Sequence, residues 1–204
     1  AASARTAGQA ASAASGGTQT SRTALERSAT INAEAPVGPA PKALPAHAVR
    51  IDKGEQEFIC RLVPLLPTPR IAKRLVNVYR VIKSGKSVTA LEEFERERRS
   101  ESCLLMLAIL FGQPVVASEL LRALHEGKEP FNDRKQPLVE AVGKRKALDG
   151  EPAYVHEEWT RLHATLQGLE LAATVGECAR EPVEVARYSL VSGHDWHTWT
   201  RPST

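Results

Sequence analysis

Arg70, Lys73, Arg74, Asn77 and Arg80 stand within eleven residues of one another, the densest run of cationic and amide side chains that coincides with an apolar period. Guanidinium and ammonium groups spaced this way attract anions, and a planar guanidinium can grip a carboxylate or a phosphate through two parallel N–H bonds. The chemistry offered is therefore recognition of negative charge. Other arrangements that could do chemistry are incomplete. Ser84-Gly85-Lys86-Ser87 resembles the end of a phosphate-binding loop, yet the full pattern needs a glycine where Arg80 stands and a strand where the spacing predicts a helix. It reads as a helix end and linker. His194 and His197 are three apart, but Gly193 sits beside them and no third or fourth ligand follows, so zinc is not expected. No nucleophile is paired with a base, and no two carboxylates lie isolated in an apolar setting, so a free-standing enzyme has no supporting constellation.

The element that must position the cationic row is a helix over 68–83. Thr68 is suited to accept a hydrogen bond from one of the helix's orphan N–H groups, and Pro69 fits the first helical position, where a missing donor costs nothing. Ile71, Leu75, Val78, Tyr79 and Ile82 fall on one face, while Arg70, Lys73, Arg74, Asn77, Arg80 and Lys83 fall mostly on the other. One face packs and the other carries charge, which a solvated surface alone would also explain.

Around this helix the pattern predicts an all-α fold, an irregular bundle of about six helices, preceded by an arm. Residues 1–48 are rich in Ala, Ser, Gly, Thr and Pro, and their few large side chains keep no period, so they are expected to be a disordered arm or linker. Residues 49–204 form the helical domain. Within it, Asp52 favours the start of a short helix ended by Pro64 and Pro67. Thr89 with Glu92 predicts a capping box for a helix from Ala90 to Phe111. The first half of that helix is expected to be solvated and laced by Glu92–Arg96 and Glu95–Arg99 pairs, the second to be the most buried part of the protein. Ser118 is expected to cap a helix through His125, stopped by Gly127. Further helices are expected over 136–148, ending in Lys144-Arg145-Lys146 as a complement to the helix dipole, over 156–174 with Trp159 as a core anchor, and over 183–187.

The 204 residues are 42% apolar with a net charge of +3. That suits one ordinary domain and permits an anionic partner without the strong field of a dedicated nucleic-acid binder. Cys60, Cys103 and Cys178 are odd in number and far apart, which points to a reducing cytoplasm rather than to disulfides. The longest apolar run, Cys103–Phe111, is about half the roughly 18 to 20 residues that span a bilayer, so no membrane helix is expected. The first residues lack a signal-peptide core and an initiator Met, and the chain is expected to be a piece of a longer sequence.

Three stretches resemble the C-terminal helical region of bacterial KAP-type P-loop NTPases, which are relatives of the STAND class. They are Pro69-Arg70, Lys73-Arg74, Asn77 and Tyr79; then Leu107-Ala108-Ile109-Leu110, Gly112 and Pro114; then Val185-Ala186-Arg187-Tyr188-Ser189. The resemblance implies a lid or sensor in which Arg70 faces the terminal phosphate of a nucleotide held elsewhere, supported by Lys73 or Arg74. The Walker A loop and the Walker B aspartate strand of such proteins are missing, so no hydrolysis and no cofactor of its own are expected of this chain. ATP would enter only through a missing NTPase core, in cis or in trans. Two other partners fit the row: a protein, or nucleic acid along Arg70, Lys73, Arg74, Asn77 and Arg80.

Overall fold

The structure, a computed structural model, describes residues 50–145 and 150–188, all within the unit Ala43–Thr204. The expected arm over 1–48, the end of the 136–148 helix, Ser189 and the histidines His194 and His197 lie outside the described residues. Those residues are all-α. The helices are α1 (Lys53–Arg61), α2 (Pro69–Ser84), α3 (Val88–Arg96), α4 (Arg99–Gly112), α5 (Pro114–Glu126), α6 (Leu138–Lys144), α7 (Ala153–Gly168), α8 (Val175–Cys178) and α9 (Pro182–Ala186), with a 3₁₀ turn at Val63–Leu65 after α1. None is long and apolar enough to cross a membrane.

The bundle is built around α4. Every residue from Ser102 to Phe111 is buried, as a helix apolar on all sides requires. It packs against α1, α2, α3, α5, α8 and α9, so most of the described helices are wrapped around one rod. The rod ends where Gly112 passes the 3₁₀ turn. A Cβ there would stand 1.8 Å from the Leu65 carbonyl oxygen, a distance only glycine avoids. Pro114 then opens α5.

Several expected boundaries are moved, each for a visible reason. The helix expected over Ala90–Phe111 is two helices, broken at Glu97–Arg98 with Arg98 in the left-handed region (φ 54°). Its solvated half buries only Leu91 and Phe94, whereas its second half needs enclosure, and the turn lets α4 enter the core alone. Ser87, not Thr89, caps α3 by accepting from Ala90 N at 3.2 Å. The Glu95–Arg99 pair is not made, because Glu95 meets Lys83 and Arg99 meets Glu181. Ser118 lies inside α5, which begins four residues earlier because Pro114 supplies the start. The helix expected to reach Thr174 ends at Gly168, and Thr174 instead closes a capping box with Glu177 at the head of α8. Asp52 does start α1, through a full capping box with Glu55.

Candidate functional site

Helix α2 is set in place from both ends. At its N-terminus the Thr68 hydroxyl accepts from Ile71 N at 3.3 Å, and Pro69 occupies the first position. Leu75, Tyr79 and Ile82 are buried against the core, with Ile71 and Val78 at its edge. The lower end is held by a buried ion pair rather than by apolar packing alone. Lys83 Nζ lies 2.8 Å from Glu55 Oε1, with the two side chains 2% and 4% exposed, and also reaches the Arg50 carbonyl and Glu95. The Tyr79 hydroxyl donates to the same Glu55 oxygen. Burial first, and Glu55 second, hold the Tyr79 phenol far above its ordinary range, so it stays a donor.

Lys83 therefore does not belong to the outer cationic face, where its type alone would put it. It stands four residues after Tyr79, in the register of the packing stripe, and that spacing was a legible signal of burial. Arg74 is also drawn inward. Its guanidinium lies 4.4 Å above the Phe111 ring and donates to the Tyr188 carbonyl at 3.4 Å, so it ties α2 to the end of α4 and to the chain beyond α9. What remains on the outside is Arg70, Lys73, Asn77 and Arg80, all exposed and all on one side of the helix. No carboxylate among the described residues pairs with Arg70, Lys73 or Arg80, and α2 contains no Asp or Glu.

Three cations between other helices are, by contrast, held by carboxylates. Lys86, from the segment that looked like a phosphate loop, is held by both oxygens of Glu184 at 3.1 and 2.8 Å and sits 4.6 Å over Phe94. Its ammonium is thus engaged within the bundle, and Gly85 and Ser87 serve as the end of α2 and the start of α3. Arg145, expected as a complement to a helix dipole, is instead a nearly buried clamp that joins Glu119 to Glu151 and stacks over Trp159 at 4.5 Å. Arg99 donates to the fully buried Glu181 at 2.7 Å. Burial raises the Glu181 carboxyl above the ordinary range, against the opposing pull of Arg99. The Cys103 and Cys178 thiols are pushed up by burial, which keeps them protonated and unreactive. Among the described residues no cluster of His, Cys, Asp or Glu is placed to hold a metal.

One feature of α2 is not legible from residue type. Beside the cations runs a shallow groove of about 370 Å³ lined by Ala72, Lys73, Val76, Asn77 and Arg80. Ala72 and Val76 are half-buried, so the outer face is a row of cations with an apolar strip along one flank. Chemically this arrangement can attract an anionic surface and add apolar contact to it. No protein-family model matches the chain, and neither does any curated protein or solved structure.

Proposed function

We propose that the chain is a non-catalytic helical module whose α2 face docks on an anionic partner and couples that contact to a neighbouring domain. The observation that carries it is the row Arg70, Lys73, Asn77 and Arg80, exposed on one face and facing no carboxylate among the described residues. The resemblance to the helical region of bacterial KAP-type NTPases gives the reading its direction. In it the partner is a P-loop core in cis or in trans, and the module is a cytoplasmic lid or sensor. Arg70, in the first turn beside the positive end of the helix dipole, is the residue suited to a terminal phosphate. Lys73 is its support, one turn on. Arg74, tied to Phe111 and Tyr188, transmits rather than binds, since its displacement would move the end of α4 and the chain after α9.

A second reading is favoured by the length of the row. The eleven residues of helix from Arg70 to Arg80 rise about 15 Å, enough to follow two or three backbone phosphates of a nucleic acid. Salt separates the two. A duplex-binding face gives a log–log slope of affinity against salt near −0.9 per neutralised phosphate, and Arg70→Ala or Arg80→Ala flattens it by about one. Our proposal expects a labelled 20-base-pair duplex to bind the full chain no tighter than a scrambled basic peptide at about 150 mM salt, measured by anisotropy. A steep, salt-dependent affinity lost in Arg70→Ala/Arg80→Ala would replace it with the second reading.

A further inference from the structure

The geometry points to a helix as the element that docks on α2: we infer that the partner presents an acidic amphipathic helix to the groove between Lys73 and Val76. This rests on the docking role proposed for α2 and adds the shape and chemistry of what it takes. Side chains four apart on a helix form continuous ridges, and two ridges border this groove. One is Ala72, Val76 and Arg80; the other is Lys73, Asn77 and Val81. Val81 is 53% exposed, high for an aliphatic residue of a helix that packs its other face fully. The depression between such ridges is the shape into which the corresponding ridge of a second helix inserts, at an interaxial distance of about 8–10 Å. Ala72 brings the floor close to the backbone, which favours the shorter separation.

Charge complementarity selects the partner. Lys73 and Arg80 line the groove and pair with no carboxylate among the described residues, so Asp or Glu flanking the inserted ridge would meet two available cations. A run of phosphates would satisfy the same cations but leave Ala72, Val76 and Val81 facing a polar backbone. An apolar strip inside a basic rim matches an amphipathic helix better than a nucleic acid, because anchors at i and i+4 use both parts. The apolar area is small, so the complex expected is reversible and sensitive to salt.

The test is a selection from a phage library of random-sequence helical peptides against the full chain. Enriched peptides should carry Asp or Glu on both sides of a small or apolar i, i+4 ridge. Their affinity should fall at least tenfold for Lys73→Glu/Arg80→Glu and at least tenfold for Val76→Arg. Asn77→Trp, at an exposed rim position, should close the groove with the same loss and guards against an unstable Val76→Arg chain; circular dichroism verifies the fold of each variant. Acidic peptides that bind Val76→Arg and Asn77→Trp as well as wild type would overturn the helix inference while leaving anion docking intact. Binders without acidic residues, indifferent to Lys73→Glu/Arg80→Glu, would overturn both.

Discussion

Arg80 and Lys83 are three positions apart in α2 and have opposite fates. Arg80 is exposed and unpaired among the described residues, whereas Lys83 is sealed with Glu55 under α1. Removing one partner of such a buried pair leaves the other charged and desolvated. Lys83→Met should therefore cost about 3–5 kcal/mol in urea unfolding. Arg80→Ala should stay within about 0.5 kcal/mol of wild type. Similar effects at the two positions would mean that Lys83 is solvated. Glu181 yields a pH prediction with a definite sign. Burial holds its carboxyl above the ordinary range, despite Arg99 beside it and with Lys86 and Glu184 near. In the unfolded chain the group returns to about 4.3. Between that value and the raised one the folded state holds more proton, so this group's contribution to stability falls as pH rises. The unfolding free energy of wild type minus that of Glu181→Gln should decline with pH across the window above about 4.3; a difference that grows with pH would contradict the burial of the carboxyl.

At the scale of elements, the break between α3 and α4 and the crossing at Gly112 decide how the bundle closes. Gly112→Ala drives a Cβ into the Leu65 carbonyl, a backbone atom that cannot swing aside, and should cost about 1–3 kcal/mol or more. Leu107→Ala, in the fully buried rod, should cost about 2–5 kcal/mol. Arg98→Gly should be neutral or stabilising, since the left-handed conformation there costs a side chain about 1 kcal/mol while its ion pair with Glu101 is exposed. Thermal melts of the three variants, compared at equal concentration, check the order. The rod and α2 were legible in the sequence because their signals are local: nine continuous apolar residues for one, a cap, a proline and an apolar stripe for the other. The α3–α4 break was not, because a helical period continues through Arg98 and only the unequal burial of the two halves shows why it stops. The candidate site was legible in part. Arg70, Lys73, Asn77 and Arg80 stand outside as their spacing predicts, but Arg74 is turned inward by Phe111 and Tyr188, partners 37 and 114 residues away that no local pattern reveals.

For the whole molecule, the distribution of charge is more informative than its sum. A net charge of +3 is modest, yet Lys83, Lys86, Arg99 and Arg145 are all paired at the joints between helices, where they hold the bundle together. The positive charge left over on α2 is concentrated on its outer face, beside an apolar strip. Arg74 links α2 to the end of α4 and to the chain beyond α9, so a contact made outside has a physical route into the fold. The account stands on the claim that this face is a docking surface rather than a solvated helix side. The most direct measurement places a small diazirine photo-crosslinking amino acid at the exposed Val81 of the full chain in its own cells. It compares wild type with Arg70→Glu/Lys73→Glu/Arg80→Glu, with thermal melts verifying that the reversal leaves the fold intact. The account predicts a discrete protein adduct at Val81 that the triple reversal abolishes while the melting temperature changes by no more than a few degrees. An adduct pattern that is unchanged by the reversal, or no adduct from either chain, would contradict it.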